Sequence, residues 1–529
     1  MTVQPSKASI GLPKKTQSLC PECKAVIDAD IFEENGKVVM QKECKEHGEV
    51  KDIIWSDVDL YLKAEKFALD GIGVENPNTK NRMGCPSECG LCDQHFSHTA
   101  LANIDLTNRC NLKCPICFAN ANAAGYVFEP SYEEVVKMLE LLRAERPVPT
   151  HAVQFSGGEP TLHPRFLDIV KKANELGFSQ VQMATNGIKL ARDPSYAQEL
   201  VDAGMHTVYL QFDGVKEENY ISCRGKPLLD TKIKAIEHNR MTNPKPLSTV
   251  LVPTIVNTIN DDQVGPILDF AIENCDVIKG VNFQPVAFTG RISREKRNRQ
   301  RFTLTDLVDR LVDHTPYLTK DDFYPVPTVA PISYLSGVIA GSAKLTFTCH
   351  SHCGIAAYLF IQEDGKIIPV TKFVDVPGMM SQMMRLADKA SGKGAQLFLR
   401  LMGAVKTDKS KQKSLVKNFN KYFGQYINEN EMPEGLDIPA LIGGIISEGD
   451  KQAVGQFTWR TMFVGGMHFQ DLYNYDIQRV QRCAVHYATP DGRLIPFCSY
   501  NGGPYWREQV EEKFSVPISE WRGGKIVED

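Results

Sequence analysis

Between residues 100 and 290, short β-rich apolar runs alternate with segments of helical length. Six runs have the composition of strands: ANIDLTNRC, HAVQFSGG, QVQMATNG, HTVYLQFDG, STVLVPTIV and GVNFQPVAF. In the first helical segment Ser131 and Glu134 form a capping-box signature, and Val135, Leu139 and Leu142 share one face. Strands separated by helices predict βα units and a parallel sheet. In a βα barrel the chemistry lies at the carboxyl ends of the strands, so the turns SGGEP, TNG and FDG are expected at a ligand-binding edge.

The flanking regions follow other patterns, and these divide the chain. We predict a metal-binding knuckle over residues 1–60, a linker with a cysteine motif over 61–99, a barrel core over 100–295 and a C-terminal part over 296–529. In the last part, two stretches each read cysteine, apolar run, Asp-Gly turn and apolar run. They begin at Cys353 and at Cys483, and the second ends at Cys498. Both stretches predict a hairpin, and together they suggest a weak internal repeat.

Composition places the chain among ordinary globular proteins. Of its 529 residues 42% are hydrophobic and 23% charged, which excludes a disordered or collagen-like chain. The net charge of −4 predicts no general affinity for nucleic acid. No run of 18 apolar residues predicts a membrane span, and the first residues lack the apolar core of a signal peptide. We therefore expect the chain to be cytoplasmic.

The 15 cysteines change this picture. Cys223 and Cys275 stand alone and suit buried, inert thiols, whereas the other thirteen form groups at short spacing. In a reducing compartment such groups indicate metal ligands rather than disulfides.

The sharpest group is Cys110, Cys114 and Cys117, spaced C-x3-C-x2-C just after the first predicted strand. Three thiolates on one loop can hold three irons of a [4Fe-4S] cube and leave the fourth iron open to a small molecule. The alternative is a zinc loop. The context favours the cluster, because Phe118 follows the third cysteine and a GGEP turn follows the second predicted strand.

These motifs resemble the radical S-adenosylmethionine (SAM) superfamily over residues 100–290. The resemblance implies an α/β fold with a partial (β/α)6 barrel, and a cluster that cleaves bound SAM to a radical that abstracts hydrogen. It also implies that the GGE turn holds the methionyl ammonium of SAM and that other positions contact adenine, ribose and carboxylate. The matching positions are Phe118, Gly157, Gly158, Glu159, Thr185, Asn186, Gln211 and Arg224. An ordinary turn is the alternative for Thr185 and Asn186.

Two further cysteine groups indicate auxiliary clusters, which would make three [4Fe-4S] clusters in all. Cys85, Cys89 and Cys92 repeat the C-x3-C-x2-C spacing, and His95 is the first candidate for their fourth ligand. A solvent-exposed histidine is the alternative. A complete set of four ligands, drawn from the two predicted hairpins, is Cys349, Cys353, Cys483 and Cys498.

The N-terminal group has a different spacing. Cys20, Cys23, Cys44 and His47 read C-x2-C and C-x2-H, which is typical of a zinc ribbon or a rubredoxin-like knuckle around one ion. Zinc and iron both suit a sulfur-rich tetrahedron, so the spacing does not choose between them.

The whole layout resembles the archaeal tetraether lipid synthases. The segments that carry the resemblance are GCPSECGLCDQH, TNRCNLKCPICFA, CHSHCGIAAYLF, HFQDLYNYD and CAVHYATPDGRLIPFCSYNGGPYWRE. It implies a carbon–carbon bond between terminal sp³ carbons of isoprenoid chains. The implied partners are an archaeal diether phospholipid, the inner face of the membrane and a low-potential electron donor such as a ferredoxin. The rival functions are a methyltransferase or other modifier of a pterin-like small molecule, a peptide maturase, and an iron–sulfur electron carrier.

Two segments bear on a lipid substrate. An apolar, Met-rich stretch over residues 379–402 is followed by six lysines between 406 and 421. That composition suits a helix at an anionic membrane surface, and a core helix followed by a solvated face is the alternative. The basic run 291–301 suits either phosphate headgroups or a charged surface.

Overall fold

The computed structural model describes residues 4–290, 292–391, 421–434, 436, 438, 461–503 and 506–521. The N-terminal part is built from short antiparallel strands and one helix. Its elements are β1 (Gln4–Pro5), β2 (Lys14–Leu19), β3 (Val26–Glu34), β4 (Lys37–Cys44), β5 (Gly48–Trp55), α1 (Val58–Glu65) and β6 (Leu69–Asp70). Strands β2 to β5 form a four-stranded antiparallel sheet in chain order. Trp55 and Tyr61 are buried beneath it, and the Tyr61 ring stacks on His352 at 3.7 Å.

The middle of the chain repeats strand and helix. Its elements are β7 (Leu101–Thr107), β8 (Tyr126–Phe128), α2 (Tyr132–Ala144), β9 (Ala152–Gly157), α3 (Phe166–Glu175), β10 (Gln180–Thr185), α4 (Ile188–Arg192), α5 (Tyr196–Asp202), β11 (Thr207–Gln211), α6 (Glu217–Arg224), α7 (Leu229–Arg240), β12 (Ser248–Val252), β13 (Thr254–Ile255), α8 (Val264–Glu273) and β14 (Ile278–Pro285).

Six of these strands form the parallel sheet that the sequence predicts. Their order is β7-β9-β10-β11-β12-β14, and each neighbouring pair is parallel. The predicted capping box at Ser131 and Glu134 is present at the start of α2. On α3, Phe166 contacts Phe155 of β9 edge to face, so this side of the sheet lies against the helices. The predicted α/β fold with a partial (β/α)6 barrel is thereby confirmed.

The C-terminal part adds strands and helices around the barrel. Its elements are α9 (Arg297–Gln300), α10 (Leu304–His314), β15 (Tyr324–Pro325), α11 (Ala330–Ala340), β16 (Gly354–Ile361), β17 (Ile367–Pro369), α12 (Val376–Ser391), β18 (Thr461–Met467), α13 (Ile477–Val480), β19 (Val485–Ala488), β20 (Leu494–Pro496), α14 (Phe497–Gly502), α15 (Trp506–Lys513) and β21 (Ser515–Pro517).

The sheet continues across the predicted boundary at residue 295. Strand β18 pairs parallel with β14, and β19 pairs parallel with β7, so C-terminal strands flank both edges of the six-stranded core. The two predicted hairpins are confirmed, because β16 pairs antiparallel with β17 and β19 with β20. The core and the C-terminal part therefore share one sheet.

The Met-rich segment differs from the prediction of a lipid-facing helix wherever the structure describes it. Met379, Met380 and Met383 lie on α12 and are buried against Tyr334 and Leu335 of α11. This half of the segment is a core helix, which was the alternative. Residues 397–402 and the lysines from 406 to 417 lie outside the described residues. None of the helices that the structure describes combines the length and apolarity needed to cross a bilayer.

The basic run also differs from the prediction of a surface that holds phosphate. Arg297 and Arg301 each lie 2.5 Å from the carboxylate of Asp52, which belongs to the N-terminal sheet. Arg301 is buried and also pairs with Asp471 at 2.7 Å. These two arginines therefore join the N-terminal sheet to the C-terminal part. Residue 291 lies outside the described residues.

Candidate active site and metal centres

The loop that carries Cys110, Cys114 and Cys117 leaves the carboxyl end of β7 and is held by Asn122. The Asn122 side chain accepts a hydrogen bond from the Cys110 N–H at 2.9 Å and donates to the carbonyls of Cys110 and Leu112 at 2.7 and 3.1 Å. Asn122 has a left-handed backbone, with φ of 64°. Burial raises the pKa of the Cys110 and Cys114 thiols. The structure thus gathers the three predicted ligands on one braced loop.

The GGE turn lies directly on the start of this loop. Gly158 N–H donates to the Thr107 carbonyl at 2.7 Å, and Glu159 N–H donates to the Arg109 carbonyl at 2.9 Å. A Cβ on Gly157 would lie 2.2 Å from the Thr107 oxygen, and one on Gly158 would lie 2.2 Å from the Arg109 oxygen. Gly157 also has φ of 126°. Both glycines are therefore required for this close approach.

The Glu159 carboxylate is buried and joins two strand ends. It accepts hydrogen bonds from Thr161 Oγ1 at 2.7 Å, Thr185 Oγ1 at 2.8 Å and the Asn186 N–H at 2.9 Å. The Asn186 amide in turn donates to Asn111 Oδ1 on the cysteine loop at 2.6 Å. Glu159, Thr185 and Asn186 are thus brought together beside the cysteines, and their contact with SAM stays a prediction.

Arg224 and Gln211 also lie at this edge, each with a buried partner. The Arg224 guanidinium binds both carboxylate oxygens of Asp213, at 2.7 and 2.6 Å. Lys232 is fully buried and donates to Gln211 Oε1 at 2.9 Å. Burial lowers the pKa of Lys232 to about 8. Arg224 is therefore already paired with a carboxylate, and its predicted role toward the SAM carboxylate stays a prediction.

The sequence did not single out several residues that shape this site. Asn122 braces the cysteine loop, Asp213 pairs with Arg224, and Lys232 lies beneath Gln211. Gly290 has φ of 62°, and a Cβ there would lie 2.3 Å from the Phe118 carbonyl oxygen. Only Asp213, in the FDG turn, lay within a motif that had been noted.

The inner face of the barrel is lined by amides. Gln154 of β9 donates to Asn103 Oδ1 of β7 at 2.9 Å, and Gln182 of β10 donates to Gln154 Oε1 at 2.9 Å. These three residues are paired in register across the strands, whereas Phe155 points to the helices. Tyr209 of β11 lies on the same face, because Thr207, two residues before it, pairs with Gln182. In the sequence, this inner face is indicated by polar residues at every second position of the predicted strands.

A carboxylate and aromatic rings lie further toward the cysteine loop. Asp105 of β7 accepts hydrogen bonds from Ser156 Oγ and from Arg507, both at 2.7 Å. The Arg507 guanidinium lies 4.6 Å from the centre of the Tyr500 ring, which stacks on Tyr487 at 4.3 Å. Tyr487 pairs with Asn103 and so belongs to the inner face. The interior is therefore polar and aromatic on this side.

Cys85, Cys89 and Cys92 line one small hollow. His95 reaches the same hollow, but its Nε2 lies 2.7 Å from the Cys483 carbonyl oxygen and 3.1 Å from His486 Nε2. These contacts compete with ligation through Nε2, so His95 as the fourth ligand stays a prediction.

The structure brings Cys349, Cys353, Cys483 and Cys498 together from the two hairpins. Burial and the neighbouring cysteines raise the pKa of Cys483, with Cys498 and Cys353 as the charged neighbours. Cys353, burial and Cys483 likewise raise the pKa of the Cys349 thiol. A contact between two aromatic rings joins this group to the barrel loop. Phe118 lies 6.0 Å from Phe497, the residue before Cys498.

The N-terminal ligands form a compact tetrahedral group. Cys20 Sγ and Cys44 Sγ lie 3.7 and 3.5 Å from His47 Nδ1, and Cys23 Sγ lies 3.8 Å from Cys44 Sγ. A tetrahedron with zinc–sulfur bonds of about 2.3 Å has edges of about 3.8 Å. All four ligand atoms lie within 4.8 Å of one another. The predicted mononuclear metal site is therefore preformed.

Comparison with known proteins identifies two family models. The radical SAM superfamily model matches residues 104–271, and the HMPTM N-terminal zinc ribbon domain model matches residues 12–56. A relative from Methanocaldococcus jannaschii, 7,8-dihydro-6-hydroxymethylpterin dimethyltransferase, is 45% identical over 514 residues and covers 97% of each chain. GTP 3′,8-cyclase from Clostridium acetobutylicum is 26% identical over 39% of this chain and 63% of its own. The crystal structure of Streptococcus suis SuiB bound to S-adenosylmethionine is 19% identical over 42% of this chain and 47% of its own, with a TM-score of 0.32, a likeness too slight to bear on function.

These findings correct the prediction of function. The relative that matches nearly the whole chain carries the name of a pterin dimethyltransferase, which contradicts the joining of isoprenoid chains and favours the methyltransferase alternative. The resemblance to lipid synthases rested on the cysteine groups. These groups specify metal centres and not a substrate, so the substrate predicted from them was wrong. Superfamily membership implies SAM and a [4Fe-4S] cluster, and the three thiols beside the close-packed glycine turn fit both. The chain therefore belongs to the radical SAM superfamily and, within it, to the same family as the Methanocaldococcus jannaschii protein.

Proposed function

We propose that the chain is a radical SAM methyltransferase that acts on a reduced hydroxymethylpterin or a closely similar pterin. The observation that carries this proposal is the 45% identity to the Methanocaldococcus jannaschii protein along 97% of both chains. An N-terminal zinc ribbon of the matching type accompanies the barrel, so the similarity includes the domain arrangement.

The chemistry of the barrel interior supports a polar, flat substrate. A pterin presents hydrogen-bond donors and acceptors around a planar ring. Asn103, Gln154 and Gln182 offer amide donors and acceptors on the inner face, and Tyr487 and Tyr500 offer ring faces. These amides bond one another through only part of their donors and acceptors, and a purely aliphatic substrate would leave the remaining ones desolvated without partners, which costs free energy.

The proposed roles at the cysteine loop rest on superfamily membership, and the geometry supports them. Cys110, Cys114 and Cys117 hold the cluster, and the glycine turn holds Glu159 against the start of the cysteine loop. When bound and reduced by one electron, the cluster with SAM would supply a 5′-deoxyadenosyl radical that abstracts hydrogen from the substrate. A second SAM molecule would supply the methyl group and leave as S-adenosylhomocysteine. Glu159 offers the one buried carboxylate of the GGE turn for the methionyl ammonium, and its bonds to Thr185 and Asn186 fix its position.

We also propose two auxiliary [4Fe-4S] clusters and one mononuclear zinc or iron ion. The hollow at Cys85, Cys89 and Cys92 and the gathering of Cys349, Cys353, Cys483 and Cys498 support the two clusters. A low-potential donor such as a ferredoxin would supply the electron. Replacing Cys89 or Cys483 with Ala should each remove about four irons while the other centres remain.

The test uses the full chain, reconstituted anaerobically with iron and sulfide. It is incubated with SAM, a reductant and 7,8-dihydro-6-hydroxymethylpterin, and mass spectrometry follows 5′-deoxyadenosine and the pterin. We expect both 5′-deoxyadenosine and a pterin that has gained one or two methyl groups. Cys110→Ala is the control and should form neither product. If the protein cleaves SAM but leaves the pterin unmethylated under these conditions, the pterin assignment is wrong.

A further inference from the structure

Arg479 is a buried arginine whose nearest ionisable contact is a cysteine. It lies on α13 and is 8% exposed. Its Nε lies 3.5 Å from Cys353 Sγ, and one terminal nitrogen donates to the His468 carbonyl at 2.6 Å. Its charge also acts on Cys498. Arg479 therefore faces the group of four C-terminal cysteines.

Other buried arginines in this part of the chain have carboxylate partners. Arg482, three residues later, lies 2.6 Å from Asp70, and Arg507 lies 2.7 Å from Asp105. Within the part of the chain that the structure describes, no Asp or Glu forms an ion pair with Arg479. Asp476 acts on Arg479 electrostatically, less strongly than Cys353 and Cys498 and without forming an ion pair with it. A buried guanidinium without a paired counter-charge costs free energy. The positive charge of Arg479 is therefore compensated when the cysteines are thiolates bound to a metal cluster.

We propose that Arg479 is the counter-charge of an iron–sulfur cluster held by the four C-terminal cysteines and raises its reduction potential. The inference rests on the auxiliary cluster included in the proposed function. A [4Fe-4S] cluster with four thiolates is anionic and becomes more negative by one charge when it gains an electron. A fixed positive charge at its edge stabilises the reduced form more than the oxidised form. The N–H···S contact to Cys353 acts in the same direction, because hydrogen bonds to the sulfurs tune such potentials.

The experiment measures the midpoint potential of this cluster in the full, anaerobically reconstituted chain. Redox titration is followed by electron paramagnetic resonance, and the signal that disappears in Cys483→Ala belongs to the C-terminal cluster. Arg479→Gln should lower the midpoint of that signal, and Arg479→Lys should lower it less because it keeps the charge. Arg482→Lys is the matched control, since its partner is Asp70, and should leave the midpoint unchanged.

Five results decide between the proposal and its alternatives. A lower midpoint in Arg479→Gln with full iron content supports the proposal. An unchanged midpoint in that variant overturns it. If Arg479→Gln fails to hold the cluster, recovery of iron in Arg479→Lys supports the role of the charge, and loss in both variants overturns it. Equal iron in the wild type and Cys483→Ala overturns this inference together with the C-terminal cluster, while the methylation test at Cys110 is unaffected.

Discussion

The contact between the GGE turn and the cysteine loop depends on two residues that lack a Cβ atom. Gly157 and Gly158 place the turn against the carbonyls of Thr107 and Arg109. A side chain at either position must push the loop that carries the cluster ligands away. This is why the turn and the cysteines belong to one site although they are about forty residues apart in the sequence.

Gly157→Ala should therefore weaken SAM binding sharply and destabilise the fold. Its Cβ would lie 2.2 Å from the Thr107 oxygen, and its φ of 126° is itself unfavourable for alanine. Gly492→Ala is the matched control, with φ of 81° and open space around the Cβ. We expect the control to lose about 1 kcal/mol from backbone strain and to bind SAM normally. Denaturant unfolding and equilibrium dialysis of SAM would measure both, and equal losses in the two variants would contradict the steric argument.

Residue types and their spacing identified the cysteine metal ligands in the sequence, but they did not identify the residues that hold the site in place. The cysteines were found because thirteen of them cluster along the sequence. Asn122, Lys232 and Gly290 were missed because an asparagine, a lysine and a glycine have many ordinary uses. Their roles appear when distant segments meet, as Gly290 does with the Phe118 carbonyl.

Among the elements, strands were predicted well and one helix was misread. The six barrel runs and both hairpins were placed correctly, because short apolar runs bounded by turns are a local signal. The start of α12 was assigned to a lipid surface. Methionine and leucine suit a core as well as a membrane, and the partner helix α11 that covers Met379 and Met383 is set by the fold.

The N-terminal sheet is joined to the C-terminal part by a buried lysine, which makes their contact sensitive to pH. Lys42 of β4 donates to Ser18 Oγ at 2.9 Å and to the Leu472 carbonyl at 2.6 Å. Burial lowers the pKa of Lys42 from 10.5 to about 8, although Asp471 and Asp52 oppose the shift. The unfolded chain therefore binds more protons than the folded chain between these two pH values.

From this, the free energy of unfolding of the wild type should rise relative to Lys42→Met as the pH increases from 8 to 10.5. The rise should total about 3 kcal/mol, because each pKa unit corresponds to about 1.4 kcal/mol. Below pH 8 the difference between the two proteins should be constant. Denaturant unfolding of both proteins across this range would measure the difference. A constant difference up to pH 10.5 would mean that Lys42 is not a strained buried cation.

At the scale of the whole molecule, the order of the strands in the sheet could not be predicted from the sequence. Local patterns located β18 and β19 within a separate C-terminal part, and nothing in those patterns said that they pair with β14 and β7. Pairing between strands far apart in the chain is decided by the closing of the sheet. The same closing brings the four C-terminal cysteines beside the barrel, through the contact between Phe118 and Phe497.

Because the barrel core and the C-terminal part share one sheet, we predict that the core does not form a stable, functional domain by itself. A chain that ends at residue 295 loses β18, whose backbone pairs with Gly280 to Phe283, and β19, whose backbone pairs with Leu101 to Asn103. Two buried strands would then become open edges, which promote association with other chains. We expect the 1–295 chain to aggregate or to fail to bind SAM, whereas a chain that ends at residue 521 keeps both flanking strands and should remain soluble and competent. Light scattering and SAM dialysis under anaerobic conditions compare the two. A monomeric 1–295 chain that binds SAM like the longer one would show that the C-terminal strands are an addition to the barrel and not part of its closure.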